Sequence, residues 1–299
     1  MSKPLVSVVI PARNERFLNP TIRDLLKKAK GPIEILVHLD GYWPDEVVQD
    51  ERVKYIHSGK VCGMRAGINK CVAIAQGDYI LKSDGHVLWD EGFDVKLAKD
   101  MQPNWVVIPR RKRLDAEKWE EEKTSKPDID YERLSYPSDE ADWGGAGLNG
   151  RIWTERIRDN KEIKVDKNMS FQGSAWFMTK EFFHKCKLMD DKSFGEFWNE
   201  AQEISFRTVL CQDGTVMVNK NTFYCHLHKG KKWGRGYRLE ESQLKAGRNM
   251  AMKFFAGEKV WEEQKYPLSY LIEQFMPLPE WDEEKLNKLK EREKQHGWK

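Results

Sequence analysis

The sequence predicts an α/β fold with a mostly parallel central sheet. Residues 5–10 and 33–39 form largely apolar, β-branched runs, each ended by a turn-forming residue, as expected of strands buried on both faces. A helical pattern at 21–29 separates them, and two further strand-like segments follow at 53–57 and 79–82. This alternation of strands and helices requires crossover connections, and such connections make neighbouring strands parallel.

The rest of the chain continues this alternation around one long irregular segment. Helices are predicted at 64–75, 93–101, 180–187 and 198–210, and strands at 105–109, 171–178, 215–218 and 222–226. Residues 110 to about 150 are rich in charge, Pro and Gly, so we predict a long loop there instead of sheet. Two helices are predicted in the tail, at 240–255 and 283–294, and we expect the strongly charged second one on the surface.

Composition restricts the functional class only weakly. A formal net charge of +3 over 299 residues, with 33% charged residues, does not demand nucleic acid or a membrane surface as a partner. Residues 1–4 run into the first strand without a signal-peptide pattern, and no apolar run reaches membrane-spanning length, so we expect no membrane anchor. The five cysteines are scattered and include no Cys-x-x-Cys pair, which argues against a disulfide framework or structural zinc and favours a reducing cytoplasm.

Polar residues cluster where three of the predicted strands end. They are residues 11–15 after the first strand, 38–41 at the end of the second and 83–86 after the fourth. In open parallel sheets, ligands bind at the carboxyl ends of the strands. Asp84 and His86 are two residues apart in such a position, so both can reach one divalent ion. Taken alone, an Asp-x-His pair also fits an ordinary solvated turn.

Six stretches, in order along the chain, resemble family 2 glycosyltransferases and, more closely, the catalytic domain of polypeptide N-acetylgalactosaminyltransferases. They are the opening strand 6–15, the helix 63–78, the Asp-x-His motif 83–86, the acceptor-side strand 172–177, the block Trp-Asn-Glu-Ala-Gln-Glu-Ile-Ser-Phe-Arg at 198–207 and the stretch Cys-His-Leu-His-Lys at 225–229. The resemblance covers roughly residues 5–255. The 198–207 block is one residue shorter than the family pattern and has Asn199 in place of Gly, and we expect no lectin domain. These departures leave the donor sugar and the acceptor open.

The resemblance implies a GT-A (Rossmann-like) nucleotide-diphospho-sugar transferase fold. We expect a catalytic domain at 1–238, with a nucleotide-sugar half at about 1–110 and an acceptor half at about 111–238, and a C-terminal helical appendage at 239–299. The implied reaction is metal-dependent transfer of GalNAc, GlcNAc or a hexose from a UDP-sugar to a hydroxyl group. The acceptor stays open between a glycan, a protein and a hydroxymethylated base in phage DNA, and the source between a bacterium and a virus.

A protein of another class could keep the same fold without catalysis, as a nucleotide-sugar or carbohydrate-binding protein. Four residues at positions that the resembled family uses to bind the nucleotide or the cation argue against this alternative, because this sequence retains all of them: Asp40, Asp84, His86 and His226.

The resemblance implies that Asp84 and His86 bind a divalent cation together with a third ligand. His226 and His228 are both candidates, because alternation along a strand would put both on one face. The family pattern, in which the His is followed by an apolar residue, favours His226. Mixed carboxylate and imidazole ligands suit Mn²⁺ better than Ca²⁺ or Mg²⁺, so we expect Mn²⁺ or another divalent cation that neutralises the leaving diphosphate.

The resemblance also implies donor-binding, acceptor-binding and catalytic residues. Asp40 is expected to contact the base or ribose, and its alternative role is that of a turn residue before Gly41. Glu200 and Glu203 recur at helical spacing as catalytic candidates, although a solvated helix face would look the same. We expect Glu200 to orient or deprotonate the acceptor, and whether the anomeric centre is inverted or retained stays open. The other donor-binding candidates are Pro11, Arg13, Asn14, Arg65, Ser83, Asp84, Trp198, Lys231 and Arg235, and the acceptor-binding candidates are Gln172, Gly173, Ser174 and Trp176.

Residues 229–238 combine five basic residues with three glycines and two aromatics. This composition suits a mobile lid, whose basic side chains cover the diphosphate while its glycines permit opening. The same residues would also suit a loop that binds the phosphates of a nucleic acid. We favour the lid because the segment follows His226 closely.

Overall fold

The computed structural model of the protein describes residues 6–137 and 147–299. Its strands are β1 (Val6–Ala12), β2 (Ile33–Asp40), β3 (Val53–Ser58), β4 (Tyr79–Ser83), β5 (Val87–Trp89), β6 (Trp105–Asp115), β7 (Glu120–Glu121), β8 (Glu132–Leu134), β9 (Gly150–Ile152), β10 (Val165–Lys167), β11 (Ala175–Thr179) and β12 (Thr215–His226). Its helices are α1 (Leu18–Lys28), α2 (Gly63–Ile74), α3 (Phe93–Lys99), α4 (Thr154–Asp159), α5 (Lys180–Lys185), α6 (Glu200–Phe206), α7 (Gly230–Trp233), α8 (Glu241–Phe255), α9 (Leu268–Glu273) and α10 (Glu283–Gln295), and a π-helical segment (Arg207–Cys211) continues α6.

The predicted α/β fold with a mostly parallel sheet is confirmed. Within the described ranges the main sheet has the strand order β10-β12-β6-β11-β4-β1-β2-β3, with β5 paired to β12 and β7 to β6. Strands β3, β2, β1 and β4 are parallel neighbours, and β6 and β12 are parallel to each other. Because β11 is antiparallel to both β4 and β6, all six of these strands point the same way. Their carboxyl ends therefore meet at one edge of the sheet.

The apolar run of β1 is buried on both faces of the sheet. Val8 and Ile10 pack on one side with residues of α1 and α3, whereas Val9 packs on the other side with residues of α2. All three side chains are inaccessible to solvent. Burial on both faces explains why the strand reads as a hydrophobic run, interrupted only by the buried Ser7, and not as an alternating pattern.

Two predicted strands and part of the predicted loop form longer strands. The segments 215–218 and 222–226 belong to the single strand β12, whose register against β6 shifts between Asn219 and Phe223. β6 continues past Pro109 to Asp115 because its last residues pair with the end of β12. The prediction of a loop from residue 110 is therefore wrong for residues 110–115. Most of these residues are charged, so they lack the hydrophobic pattern by which a strand is recognised. Residues 138–146 of that predicted loop lie outside the described residues.

The C-terminal helices pack on the part of the protein that follows residue 130. Phe254 of α8, Leu271 of α9 and Leu289 of α10 share one hydrophobic cluster with Tyr131 and Phe206. The expectation that α10 lies on the surface is correct only for its charged face, since Leu289 is fully buried. The division of the chain at residue 238 stays a prediction.

Two further findings concern the cysteines and the hydropathy of the helices. The five cysteines are free thiols. None of the described helices has the length and hydropathy that a bilayer-spanning segment requires.

Candidate active site at the carboxyl edge of the sheet

A cavity of about 810 Å³ opens at the carboxyl edge of the main sheet. Its wall contains residues that end or follow four of the parallel strands: Arg13 after β1, Asp40 of β2, Asp84 after β4 and His226 of β12. The shared direction of these strands explains why side chains far apart in sequence converge here. The volume is within the range that small-molecule ligands occupy in proteins.

Asp84, His86 and His226 bring three potential metal-ligand atoms together in this wall. The Nε2 atom of His226 lies 3.3 Å from Oδ2 of Asp84 and 3.1 Å from Nε2 of His86, and the Asp84 and His86 atoms are 3.7 Å apart. The pairing of β12 with β5 sets His226 opposite Val87, next to the Asp-x-His turn. His228 lies beyond the end of β12, is exposed, and is not part of this group of ligand atoms. The geometry therefore favours His226 over His228.

The protonation states of this group suit a bound cation. Burial opposes ionisation of Asp84, but the charge of Lys82 and hydrogen bonding to His226 hold the pKa of this carboxyl well below its ordinary value. Burial lowers the pKa of His226 to about 3, so its imidazole is neutral at pH 7. Nδ1 of His86 is 3.0 Å from Oε2 of Glu15, and donation there leaves the Nε2 lone pair directed at the other ligand atoms. A carboxylate oxygen with two imidazole nitrogens fits Mn²⁺ or a similar divalent cation.

Glu15 joins three parts of the site. Its Oε2 atom accepts hydrogen bonds from Nδ1 of His86 and, at 2.6 Å, from Nζ of Lys229. Its Oε1 atom accepts the backbone N–H of Phe17 at 3.2 Å. Burial opposes ionisation of Glu15, but hydrogen bonding to His86 and Lys229 and their charge lower its pKa below the ordinary value. The carboxylate is therefore ionised and fixed in position.

Lys82 is a buried cation between two carboxylates. Its Nζ atom donates to Oδ1 of Asp84 at 2.6 Å and to the carbonyl oxygen of Gly173, and lies 3.7 Å from Oε2 of Glu200. The residue is only 1% exposed, so its charge depends on these partners for compensation. A side chain at Gly173 would displace Glu200, because its Cβ atom would clash with Oε2 of that residue.

Glu200 is buried behind the cavity wall. Its Oε1 atom accepts the indole N–H of Trp176 at 2.7 Å, while Oε2 faces Lys82. Burial raises the pKa of Glu200, against the opposing charge of Lys82. Glu200 is therefore connected with the cavity through Lys82 and Asp84.

Arg65 and Glu203 form an inaccessible ion pair behind the cavity. The Nε atom of Arg65 lies 2.7 Å from Oε2 of Glu203, and both side chains are 0% exposed. Other donors of Arg65 bond the carbonyl oxygens of Gly195 and Trp198, and Oε1 of Glu203 accepts the backbone N–H of Asp190. This network joins α2 to α6 and to the loop before it.

Asp40 lines the cavity and also supports the beginning of α2. Its two carboxylate oxygens accept the backbone N–H groups of Cys62 at 2.7 Å and Gly63 at 3.1 Å. Each oxygen can accept a second hydrogen bond, so this support leaves capacity for a ligand. The position and hydrogen-bonding capacity of Asp40 are therefore compatible with contact to the base or ribose and also with a structural role at the turn before Gly41.

The predicted site residues fall into two groups by position. The cavity wall contains Pro11, Arg13, Asp40, Asp84, His86, Gln172, His226, Lys231 and Arg235. The described wall does not include Asn14, Arg65, Ser83, Gly173, Ser174, Trp176, Trp198, Glu200 or Glu203. Hydroxyl groups of the second group face inward: Oγ of Ser83 accepts from the indole N–H of Trp89 at 3.2 Å, and Oγ of Ser174 lies 2.8 Å from the hydroxyl of Tyr224.

The segment 229–238 forms one side of the cavity. Its wall residues include Lys229, Lys231, Arg235 and Tyr237. The segment is attached to the residues after β1, since Nδ2 of Asn14 donates to the carbonyl oxygen of Gly236 at 2.8 Å. The guanidinium group of Arg13 also lies 4.7 Å from the centre of the Tyr237 ring.

Sequence patterns did not identify every residue of the site. Glu15 and His38 line the cavity from the polar strand-end runs, so inspection of every residue in those runs would have found them. Lys82 had a different signal, since it is the single charged residue of β4. Glu196 and Phe197 also line the cavity, but they come from the loop before α6, where no spacing rule applies.

Comparison with the solved structure of GalNAc-T7 shows the same fold. The chain is similar to GalNAc-T7 in a structure determined with UDP, GalNAc and Mn²⁺, with a TM-score of 0.65 and 18% identity over 99% of this chain and 55% of that chain. It is also similar to residues 1–349 of S. aureus TarS, with a TM-score of 0.44 and 14% identity over 75% of this chain and 60% of that chain. The chain thus spans about half the length of the GalNAc-T7 chain.

Comparison with models of protein families shows the family to which the chain belongs. No individual curated protein sequence matches it. The family model of glycosyl transferase family 2 matches residues 7–184, which is more than half of the 299 residues. That range includes β1, β2 and β4 with Asp84 and His86, and the expected GT-A fold is confirmed. The chain belongs to glycosyl transferase family 2.

Proposed function

We propose that the protein catalyses metal-dependent transfer of a GalNAc, GlcNAc or hexosyl group from a UDP-sugar to a hydroxyl acceptor. The observation that carries this proposal is the convergence of Asp84, His86 and His226 in the wall of a cavity large enough for a nucleotide sugar. The similar structure of GalNAc-T7 contains UDP, GalNAc and Mn²⁺, which supports the same donor class and cation here.

Binding of the donor would depend on positive charge placed near its diphosphate. Asp84, His86 and His226 would hold the cation, which when bound supplies Lewis-acid neutralisation of the charge on the leaving diphosphate. Lys231 and Arg235 bring positive charge to the same cavity, where they would hold the phosphate groups. We assign the binding of the base or ribose to Asp40, which ends β2 and lines the cavity.

The acceptor side of the proposal rests on Gln172. This residue lines the cavity, and its Oε1 atom is held by Arg111 and, at 3.1 Å, by the hydroxyl of Ser174. The amide nitrogen then has capacity to donate to an acceptor hydroxyl. Glu200 would act from behind the wall, by holding Lys82 and thereby Asp84, and not by touching substrate.

A two-stage assay tests the proposal. Purified protein is incubated with UDP-GalNAc, UDP-GlcNAc, UDP-glucose or UDP-galactose, with Mn²⁺ or with excess chelator, and UDP release is measured. Donors that are hydrolysed are then offered to glycans, Ser/Thr-containing peptides and hydroxymethylated DNA, with products identified by mass spectrometry. Activity that survives complete chelation would contradict the metal assignment, and binding of a UDP-sugar without hydrolysis or transfer would favour the non-catalytic alternative.

A further inference from the structure

Glu15 contacts both a candidate cation ligand and the segment 229–238. We propose that Glu15 is a positioning residue that ties the orientation of His86 to the docking of this segment against the cavity. The inference rests on the proposed function for the role of His86 as a ligand. The contacts themselves do not depend on that role.

One carboxylate oxygen makes both connections. Oε2 of Glu15 is 3.0 Å from Nδ1 of His86 and 2.6 Å from Nζ of Lys229, and the Glu15 side chain is only 8% exposed. A buried oxygen that accepts two charge-assisted or imidazole hydrogen bonds cannot follow one partner without weakening its bond to the other. The bond from the backbone N–H of Phe17 to Oε1 further restricts the carboxylate.

The turn that carries the candidate ligands is shaped around Glu15. A Cβ atom at Gly85, the middle residue of the Asp-x-His motif, would lie 2.8 Å from Cγ of Glu15. That distance is too short for two carbon atoms, so a side chain at Gly85 would displace Glu15. The glycine between Asp84 and His86 therefore allows the glutamate to reach His86.

The segment has a second ionic attachment that does not involve the candidate cation site. Nζ of Lys232 lies 2.7 Å from Oε1 of Glu117, and both side chains are more than 60% exposed. A pair this exposed contributes little to stability. Glu117 therefore provides a matched control: it is also a glutamate paired with a lysine of the segment.

Docking of the segment and binding of the cation should be thermodynamically linked through Glu15. If Lys229 holds Glu15 in place, a docked segment favours the orientation of His86 that presents Nε2 to a cation. Cation binding must then favour the docked segment to the same extent. The two effects should disappear together when Glu15 can no longer accept both hydrogen bonds.

A double-mutant cycle on cation affinity tests the coupling. Mn²⁺ binding is measured by electron paramagnetic resonance in the presence of UDP for wild type, Glu15→Gln, Lys229→Met and the double variant. We expect Glu15→Gln to weaken Mn²⁺ binding about 10- to 100-fold, the usual effect of losing a partner that orients a ligand. We expect Lys229→Met to weaken it in the wild type but to add nothing in the Glu15→Gln background. Additive effects, or unchanged affinity in Glu15→Gln, would overturn the proposal.

Limited proteolysis tests the docking without any cation. Trypsin cleavage within residues 229–238 is followed by mass spectrometry in the metal-free protein. We expect Glu15→Gln and Gly85→Ala to accelerate cleavage about tenfold, consistent with loss of a charge-assisted hydrogen bond, and Glu117→Gln to change it little. Equal acceleration in Glu15→Gln and Glu117→Gln would overturn the proposal. If the wild type binds no Mn²⁺, the proposed metal dependence fails, whereas the cleavage comparison still decides the role of Glu15.

Discussion

Lys82 donates a hydrogen bond of 2.6 Å to Asp84 from a buried position in β4. The bond engages Oδ1 of Asp84, while Oδ2 faces Nε2 of His86 and of His226. A residue of the same strand thus holds the candidate cation ligand from behind. The position and the charge of Asp84 both depend on this lysine.

Replacing Lys82 with methionine should destabilise the protein and weaken Mn²⁺ binding. The change leaves the carboxylates of Asp84 and Glu200 without their buried cation, a loss expected to cost about 3–5 kcal/mol of unfolding free energy. Chemical denaturation measures this cost. The control is Lys54→Met, which removes a pair with Glu34 from a lysine whose side chain is 44% exposed, and should cost at most about 1 kcal/mol. Equal losses in the two variants would contradict the role assigned to Lys82.

Alanine at Asp84, His86 or His226 should abolish sugar transfer and Mn²⁺ binding while the fold persists. Each substitution removes a candidate ligand atom, whereas Lys82 retains Glu200 as a nearby carboxylate. His228→Ala should have a smaller effect because His228 is exposed and outside the ligand group. Calorimetric Mn²⁺ titration and circular dichroism separate loss of binding from loss of structure. A larger effect at His228 than at His226 would show that the assignment is reversed.

Protonation of His226 should contribute to acid destabilisation of the metal-free protein. Its pKa is lowered to about 3 by burial, from an ordinary value near 6.5, so the unfolded chain binds a proton that the folded chain does not between these values. Stability should therefore fall as pH decreases from about 6.5 towards 3, by at most about 1.4 kcal/mol per pH unit from this group. His226→Gln cannot take up this proton and should show a shallower slope in denaturation experiments between pH 4 and 6.5. Parallel slopes would contradict the lowered pKa.

Sequence patterns predicted those parts of the site that depend on strand ends. Asp84 and His86 follow β4 at the edge where the parallel strands end, so the fold alone brings them to the cavity. The choice between His226 and His228 needed the structure, because β12 ends at His226 and the alternation no longer applies to His228. The pairing of β12 with β5 then places His226 beside His86.

Helical spacing alone could not separate the two glutamates of α6. Glu200 and Glu203 are three residues apart, yet Glu200 faces Lys82 and Trp176 whereas Glu203 pairs with Arg65. Their partners come from β4, β11 and α2, which are distant in sequence. Such long-range partners depend on packing, so local periodicity cannot reveal them.

Glu200→Gln should preserve donor binding and reduce the transfer rate. Glutamine keeps the shape and can still accept from Trp176, but it removes the charge that faces Lys82. Because Glu200 acts on Asp84 through Lys82 and does not touch substrate, we expect a kcat lower by about 10- to 100-fold, with a UDP-sugar dissociation constant close to that of the wild type. Glu203→Gln serves as the control, since it breaks the buried pair with Arg65 and should lower the unfolding temperature instead. An unchanged kcat in Glu200→Gln would limit Glu200 to a structural role.

Neutralising the basic residues of the segment 229–238 distinguishes a lid from a nucleic-acid-binding loop. Lys231 and Arg235 line the cavity, whereas Lys232 pairs with the exposed Glu117. If the segment is a lid, Lys231→Gln with Arg235→Gln should weaken UDP-sugar binding about tenfold or more without any acceptor, because charge-assisted hydrogen bonds to phosphate are lost. Lys232→Gln should leave donor binding close to that of the wild type.

If the segment instead follows a polymer, all three positions should matter to DNA and not to the donor. Each lost phosphate contact should then lower DNA affinity and reduce the dependence of binding on salt concentration, because fewer counterions are released. Calorimetric titration of the donor and salt-dependent titration of hydroxymethylated DNA, with the double variant and with Lys232→Gln, provide the comparison. The lid is favoured because Arg235 and Tyr237 face the same cavity as Asp84, and Lys229 is joined to His86 through Glu15. A donor dissociation constant equal to that of the wild type in the double variant would defeat the lid and make hydroxymethylated DNA the first acceptor to test.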